Sequence, residues 1–289
     1  MLADRAATAT MVAGAVSVVA LLGVVYFFIG SKAFRIFAHV TPWHYLFADH
    51  WTPITSSGQP DYGAAGLIAG SLVVVGMAIA IATPVSVGAA LFLEQTDREI
   101  GERILRPVIE VFVGIPSVVY GWLGLTVLVP FIRQHSSSGT GLSVLAAGLV
   151  LSVMIIPTVT SLSADAVRRV PAAMAEASYA LGATRWQTIR RVVLPAARSG
   201  ITTGIVLGMA RALGEALAVA MVIGGVPRFP GNMLGPAATM TTAIALDLAN
   251  RALNPALNDA LYTLALVLLL FSLAMILVIR RLSDRFDVK

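Results

Sequence analysis

Two charged side chains lie within an otherwise apolar run of the sequence, and their types and spacing suit the binding of an anion. Arg211 and Glu215 interrupt the run 199–223, which is long enough to cross a bilayer. Arg211 lies about twelve residues into this run, or roughly 18 Å along a helix and near the membrane midplane. Charges at that depth are costly and indicate a functional site. Because four residues separate them, the two side chains share a helical face and are predicted to pair.

This charged pair has two interpretations. It is either a structural ion pair that holds the helices together, or an anion site centred on Arg211. A planar guanidinium binds a tetrahedral oxyanion through paired hydrogen bonds better than an ammonium does. In this second interpretation, Glu215 would neutralise Arg211 while the site is empty and would repel an anion that can only accept hydrogen bonds.

A second stretch that suits contact with an anion contains Gly114, Pro116 and Ser117. Gly and Pro weaken a helix and can expose backbone N–H groups, as in the broken helices of transporters. Glu110 lies nearby, in the first turn after Pro107, where a carboxylate stabilises a helix N-terminus. We therefore assign a structural role to Glu110 and keep the other three residues as candidates for the site.

The composition places these residues in a membrane protein. Of the 289 residues, 57% are hydrophobic and only 12% are charged, and the mean hydropathy is +0.85. Soluble domains carry about 25% charged residues. The chain has no cysteine, which excludes disulfides and thiolate metal sites. Its four histidines are scattered, so no metal site is predicted.

Six apolar runs are predicted to cross the membrane as helices. They are 6–31, 62–93, about 107–132, a stretch within 136–164, 199 to about 223, and 260–279. With a cytoplasmic N-terminus, the inside segments hold fourteen Lys and Arg residues and the outside segments hold five. The positive-inside rule therefore places both termini in the cytoplasm. The membrane topology therefore accounts for the net charge of +5, so this charge is not evidence for nucleic-acid binding. We expect an all-α membrane protein with one transmembrane domain over 1–289 and a core of about 62–281.

The longest cytoplasmic loop, about 165–198, is predicted to form two short helices. Gly182 is a natural stop for the first helix. Thr184 and Gln187 form a capping-box pattern for the second, which Pro195 would end. Such a loop could bind DNA, lie on the lipid headgroups or dock a cytoplasmic partner. Its attachment to spans on both sides and the nearly apolar first helix argue against DNA.

The same loop carries a spaced pattern that resembles the EAA loop of ABC importer permeases. In that family, Glu-Ala-Ala is followed by three residues, Gly, nine residues and Ile-x-Leu-Pro. The corresponding residues here are Glu176, Ala177, Ser178, Gly182, Val192, Leu194 and Pro195. The resemblance implies a coupling helix seated in a groove of an ATP-binding subunit, and Trp186 could fill a pocket there. The sequence contains no Gly-x-x-x-x-Gly-Lys-Ser/Thr loop. We therefore expect no enzymatic activity and no cofactor on this chain, with ATP and Mg²⁺ on the partner.

Two transmembrane stretches resemble the permeases of phosphate importers. One runs from Gly114 to Gly121, and the other begins with Arg211-Ala212-Leu213-Gly214-Glu215, where Ala216 replaces the usual Thr. The continuation is more similar to the C-type than to the A-type permease subunit. The resemblance implies a type I ABC importer fold in the bacterial inner membrane, with phosphate as substrate. The residues expected to line the translocation pathway are Arg211, Glu215, Gly114, Pro116 and Ser117.

The resemblance also implies partners. These are a second, A-type permease subunit, two copies of an ATP-binding subunit, an extracytoplasmic phosphate-binding protein and the membrane lipid. Other readings stay open from the residues alone: a permease for molybdate or sulfate, a secondary transporter or channel, or a membrane scaffold without transport activity.

The outside segments are less specific. Segment 31–61 holds Trp43, Trp51 and three histidines, and an aromatic belt at the membrane interface is preferred there over a metal site. Segment 224–259 is rich in Pro, Gly and Asn and is predicted to be a re-entrant or docking loop.

Overall fold

The fold is a helical bundle, seen in a computed structural model that describes residues 2–53, 60–96, 101–136, 139–250 and 255–286. The predicted outside segments therefore lie partly outside the described residues, at 54–59 and 251–254. The helices are α1 (Leu2–Ala33), α2 (Pro42–Phe47), α3 (Ala65–Leu91), α4 (Arg106–Gly114), α5 (Ser117–Leu123), α6 (Val129–His135), α7 (Val144–Arg168), α8 (Ala172–Ala180), α9 (Arg185–Thr188), α10 (Leu194–Gly214), α11 (Leu217–Ile223), α12 (Met240–Asp247) and α13 (Pro255–Phe286). One antiparallel pair of short strands, β1 (Trp51–Thr52) and β2 (Asp61–Tyr62), completes the described elements.

The core of the bundle lies where α3, α7 and α10 pack together. Val74, Met154 and Met209 are fully buried there, one from each helix. The close approach of α7 and α10 requires a glycine, because a Cβ on Gly208 would lie 2.5 Å from a methyl group of Val159. Small residues at such crossings are typical of helices that pack in lipid. This core supports the part of α10 that carries Arg211.

Helix α1 lies outside this core and packs along α13. Its described apolar side chains are largely exposed, and Phe28 meets Tyr262 of α13 edge to face with ring centroids 5.8 Å apart. A helix that is apolar all round and, among the described residues, packs mainly along one other helix is suited to a lipid environment. It forms the first span, close to the range that hydropathy predicts.

The segment after α1 folds into an outer cap, defined here as the described residues of 34–62. The buried Tyr45 donates a hydrogen bond of 2.8 Å to the carbonyl of Ala260, and Trp51 Nε1 donates one of 2.8 Å to Asp247. Burial raises the pKa of Tyr45 well above its usual value, so the phenol remains a donor. These bonds attach the cap to α12 and α13 at the outer end of the bundle.

The third span is broken rather than continuous. The run predicted over 107–132 forms α4 and α5, which meet at 95° around Ile115 and Pro116. A π-helical segment, Gly124–Leu128, then leads into α6. Pro116 has extended backbone angles, and the Ile115 N–H reaches back to Phe112 O at 3.4 Å. The weakening of the helix that Gly114 and Pro116 predict is therefore seen in the structure as a sharp bend.

The fifth span begins earlier than the predicted run 199–223, and its helix has an unpredicted break after Gly214. From Arg185 to Gly214 the chain is one helical run that passes through a π-helical segment, Ile189–Val193. The expectation that Pro195 ends the second loop helix is wrong, because the wide π turn precedes it and the Leu194 N–H bonds to Ile189 O. The run ends at Gly214, and Glu215 adopts an extended conformation before α11.

The chain beyond α11 returns into the bundle. Gly224, with a φ of +97°, turns the backbone so that its strand-like bridge to Ala237 can form. Helix α12 follows from a capping box at Thr239, and its first four residues are buried against the bundle. Within the described residues, this agrees with the re-entrant alternative predicted for 224–259.

The number of spans agrees with the sequence. In the described part of the chain, five unbroken helical runs are long and apolar enough to cross a membrane, and the bent pair supplies a sixth. The five are Ala7–Ala38, Ala65–Gln95, Val144–Arg168, Arg185–Gly214 and Pro255–Arg281. The prediction of an all-α protein with six spans is confirmed when the bent pair counts as one.

Candidate functional site

The cytoplasmic loop folds as a helix, a tight turn and a second helix. Helix α8 ends at Gly182, which has a φ of +80°, and the N–H groups of Gly182 and Ala183 bond to the carbonyls of Tyr179 and Ser178. These two hydrogen bonds together form a Schellman motif, in which glycine is favoured at the residue with positive φ. The capping box between Thr184 and Gln187 is present at the start of α9. Both local predictions for this loop are confirmed.

The turn is closed by a contact that the sequence did not indicate. The hydroxyl oxygens of Ser178 on α8 and Thr188 on α9 lie 2.9 Å apart, and Thr188 is fully buried. Ser178 occupies the position of the second Ala in the EAA pattern. Its hydroxyl therefore fixes the angle between the two loop helices.

The cytoplasmic loop carries large apolar side chains that are exposed. Leu181 is 90% exposed and Trp186 is 62% exposed, while Glu176 and Ala177 are also exposed on α8. Leu194 and Pro195 lie at the beginning of α10, where Leu194 packs against the buried Val193 and Ala197. The residues of the EAA pattern thus form two groups, an exposed group on α8 and the pair Leu194 and Pro195 at the start of α10.

Arg211 lies inside the bundle, where its Nη1 donates a 3.0 Å hydrogen bond to the hydroxyl of Thr158 on α7. The predicted ion pair with Glu215 is not formed. Helix α10 ends at Gly214, so Glu215 leaves the helical face on which Arg211 lies. Within the described residues, the ion pairs join other residues. The guanidinium is therefore positioned by a neutral hydroxyl rather than by a carboxylate.

Glu215 instead organises the break in the fifth span. Its Oε1 accepts a 3.0 Å hydrogen bond from the N–H of Ala218, in the first turn of α11. Its carbonyl accepts one of 2.8 Å from the Thr241 hydroxyl at the start of α12. A carboxylate at a helix N-terminus is favourable. Glu215 thus joins α10, α11 and the re-entrant α12.

The break in the third span lies beside the break in the fifth. Helices α5 and α11 follow the two breaks and pack together, and a Cβ on Gly121 would lie 2.7 Å from the Cα of Ala218. The Tyr120 hydroxyl spans the bend by donating a 2.7 Å hydrogen bond to Phe112 O. Tyr120 also lies within electrostatic range of Arg211.

The three other candidates lie at the bend itself. Gly114 is the last residue of α4, Pro116 caps α5 and Ser117 begins it. Gly114 and Pro116 are exposed, and nothing lies within 4 Å of the position of a Cβ on Gly114. The bend therefore opens onto the surface of this chain.

Thr158 and Tyr120 were not among the site residues predicted from the sequence. Thr158 follows Pro157 inside the fourth span, and Tyr120 lies within the Gly114 to Gly121 stretch. Neither carries a charge, so the rule that finds intramembrane sites by their charges does not select them.

The outer histidines do not assemble into a metal site within the described residues. His44 Nε2 lies 2.7 Å from Asp61 Oδ1, and both side chains are partly exposed. In that part of the chain, no group of three His, Asp or Glu residues suits a metal ion. Trp43 is 73% exposed near Phe47, with the two ring centroids 4.2 Å apart, which fits the aromatic belt.

The family model described as "Binding-protein-dependent transport system inner membrane component" matches residues 82–288. The chain belongs to this family. The match begins within α3 and covers the bent third span, the cytoplasmic loop and the segment beyond α11. The protein is thus a multi-pass permease of the inner membrane, and the family to which the EAA pattern pointed is confirmed. Permeases of this family work with a binding protein, as the family description states.

Two relatives cover most of this permease. It is similar to the Probable ABC transporter permease protein YqgH of Bacillus subtilis, with 48% identity over 278 residues that cover 96% of this chain and 88% of that protein. It is similar to the Phosphate transport system permease protein PstC of Mesorhizobium japonicum, with 32% identity over 310 residues that cover all of this chain and 92% of that protein.

A solved structure shows the fold of the permease. The methionine ABC transporter MetNI, in an inward-facing conformation, matches with a TM-score of 0.58 and 20% identity, over 78% of this chain and 95% of that chain. The expected type I ABC importer fold is confirmed by this likeness and the family match.

Proposed function

We propose that this permease forms half of the translocation pathway of an ATP-driven phosphate importer. The observation that carries the proposal is Arg211, a guanidinium inside the bundle that is hydrogen-bonded to a neutral hydroxyl and lies beside two broken helices. The similarity to a phosphate transport system permease supports phosphate as the substrate.

Arg211 is the anion-binding residue in this proposal. Its charge is not cancelled by a carboxylate, so a phosphate can take paired hydrogen bonds from the guanidinium without first displacing an ion-pair partner. Thr158 holds the side chain in place while the site is empty. The exposed bend at Gly114, Pro116 and Ser117 is a second place along the proposed pathway where backbone N–H groups can meet the anion, as at the broken helices of other transporters.

Glu215 has a different role from the counter-ion first expected. Oε1 is used to cap α11, which leaves Oε2 to accept a hydrogen bond from the substrate. A hydrogen phosphate ion carries a hydroxyl that can donate this bond, whereas sulfate has only acceptors and is repelled. The residue thus selects an oxyanion that carries a proton.

The coupling loop docks on an ATP-binding subunit. Glu176, Ala177 and Ser178 lie on the exposed helix α8, and Gly182 sets the turn that presents Trp186. Leu194 and Pro195 carry the movement into α10. ATP and Mg²⁺ bind to the partner, and the full assembly has an A-type permease, two ATP-binding subunits and a phosphate-binding protein.

The test is ATP-dependent uptake of radiolabelled phosphate by the reconstituted complex, with molybdate and sulfate as competitors. Arg211→Ala should abolish uptake without loss of assembly. Arg133→Ala is the matched control, because Arg133 is exposed at the far end of α6. Glu215→Gln should allow sulfate to compete. Normal uptake by the Arg211 variant would reject the anion site, and uptake of another oxyanion by the wild type would reject phosphate as the substrate.

A further inference from the structure

An ion pair between residues far apart in sequence joins the end of the second span to the start of the coupling loop. Glu94 lies in the π-helical segment Phe92–Thr96 that follows α3, and Arg168 is the last residue of α7. Arg168 Nε lies 3.1 Å and 3.2 Å from the two carboxylate oxygens of Glu94, and Nη2 also contacts Oε1. The Glu94 side chain is only 11% exposed. A partly desolvated pair with several hydrogen bonds is stronger than an ordinary surface pair.

This pair lies between two clefts. The larger, of about 310 Å³, lies beside the coupling helix α8, and the smaller, of about 30 Å³, lies beside α4. Glu94 and Arg168 line both. The larger cleft is also lined by Ala172, Ala175, Glu176 and Val193, and the smaller by Arg106, Ile109, Glu110 and Ser161. One side of the ion pair therefore borders the cleft beside the coupling helix α8, and the other side borders the cleft beside α4 of the bent third span.

Packing continues from the pair toward the anion site. Leu93, next to Glu94, is buried in a cluster with Ala164, against which Ile109 of α4 packs. Helix α4 ends at the 95° bend, and α5 beyond it packs on α11. On the other side, only Arg169 and Val170 separate Arg168 from Pro171, the N-cap of α8. Only this short linker separates α8 from Arg168, so a movement of α8 can be passed directly to the end of α7.

We propose that the Glu94–Arg168 ion pair is a positioning element that transmits movement of the coupling helix to the bent third span. The inference rests on the proposed function as an ATP-driven importer. With the pair intact, displacement of α8 carries the end of α3 with it, and the buried cluster around Leu93 carries α4. Without the pair, the end of α3 is released from α7, and only the direct contacts of α7 with α4 remain, around Ala164 and between Asp165 and Arg106. Less of the movement of α8 then reaches α4, so ATP is hydrolysed with less import.

The test measures ATP hydrolysis and phosphate uptake together, in proteoliposomes that contain the full complex. Glu94→Gln and Arg168→Gln each remove the pair with little change in size. Each should lower the phosphate imported per ATP about tenfold, a factor typical of coupling between contacting charged residues, while ATP hydrolysis continues. The double Gln variant should be no worse than either single variant. Exchange of the charges, Glu94→Arg with Arg168→Glu, should restore most of the wild-type ratio of phosphate to ATP. Such recovery is not expected if the single variants only damage the local structure.

Arg169→Gln is the control, because it removes an equal charge from the adjacent exposed residue. The proposal is overturned if the Glu94 and Arg168 variants keep the wild-type ratio, if their effects simply multiply, or if Arg169→Gln lowers the ratio equally. The wild-type complex reports on the proposed function separately. Absence of ATP-dependent uptake there rejects both proposals, whereas normal uptake with unchanged ratios in the variants rejects only the role of the ion pair. If the wild type imports another anion, the ratio is measured with that anion.

Discussion

Arg211 and Thr158 meet across the interface of α10 and α7, where Nη1 donates a 3.0 Å hydrogen bond to the threonine hydroxyl. A hydroxyl orients a guanidinium without cancelling its charge. A carboxylate in the same place would satisfy the charge and compete with any anion for it. In the proposed anion site, this neutral partner leaves the guanidinium available to an anion that must bind and leave again.

Thr158→Val should weaken phosphate uptake about tenfold, mainly through a raised KM. The variant removes one hydrogen bond to a charged group, which is worth roughly 1.5–3 kcal/mol. Thr158→Ser keeps the hydroxyl and should retain most of the uptake. Transport kinetics of the two reconstituted variants check this, and equal kinetics for both would show that the hydroxyl does not position Arg211.

Gly121→Ala should destabilise the packing of α5 on α11, because the new Cβ would lie 2.7 Å from the Cα of Ala218 and 2.9 Å from the sulfur of Met221. Overpacking of this kind costs about 1–3 kcal/mol. Thermal unfolding of the purified chain in detergent measures the loss. Gly76→Ala, on α3, is the control, since nothing lies within 4 Å of its Cβ position, and it should not lower stability. Equal stability of the two variants would contradict the close contact.

Ser178→Ala should loosen the coupling loop although it restores the residue typical of the EAA pattern. It leaves the buried Thr188 hydroxyl without its partner, at a cost of about 1–3 kcal/mol. Amide hydrogen exchange in α8 should therefore become faster. Adding Thr188→Val removes the unpaired hydroxyl and should slow exchange again. Failure of the second change to reverse the first would mean that the hydroxyl pair does not hold the loop.

Thr160→Val should leave stability unchanged or raise it. The hydroxyls of Thr160 and Ser163 are buried within α7, and among the described residues they have no hydrogen-bond partner. A buried unsatisfied polar group costs about 1–3 kcal/mol, which an apolar group of the same shape avoids. Thr263→Val is the opposite case, because the buried Thr263 hydroxyl has carbonyl acceptors for its single O–H, Ala33 O at 2.6 Å and Asp259 O at 3.0 Å. Its thermal midpoint should fall, and a fall of equal size for Thr160→Val would be the contrary result.

The spans and the turn at Gly182 could be predicted because their causes are local. A long apolar run requires a membrane helix, and a glycine with a capping box after it favours one particular turn. The bend near Pro116 was also indicated by the residues that form it. These features depend on residues within a few positions of one another.

Two predictions were wrong: the pairing of Arg211 with Glu215, and the end of a helix at Pro195. Each followed from a rule about helices that holds only if the helix around the residue is regular. Helical spacing pairs residues only while the helix continues, and α10 ends one residue before Glu215. The π-helical segment before Pro195 lets the helix continue through a residue that usually stops it. The partners Thr158 for Arg211 and Arg168 for Glu94 lie 53 and 74 residues away in sequence, and no periodic pattern in a single chain reveals such contacts.

The unbroken helical run from Arg185 to Gly214 makes the fifth span a lever. Trp186 lies near its cytoplasmic end and Arg211 near the other, and their separation of 25 positions corresponds to about 38 Å at 1.5 Å per residue. A tilt of about 5° at the docking end would displace the guanidinium by about 3 Å, comparable to the length of a hydrogen bond. A small rotation in an attached subunit would then be enough to separate Arg211 from Thr158 or from a bound anion, with no change in the shape of the helix itself.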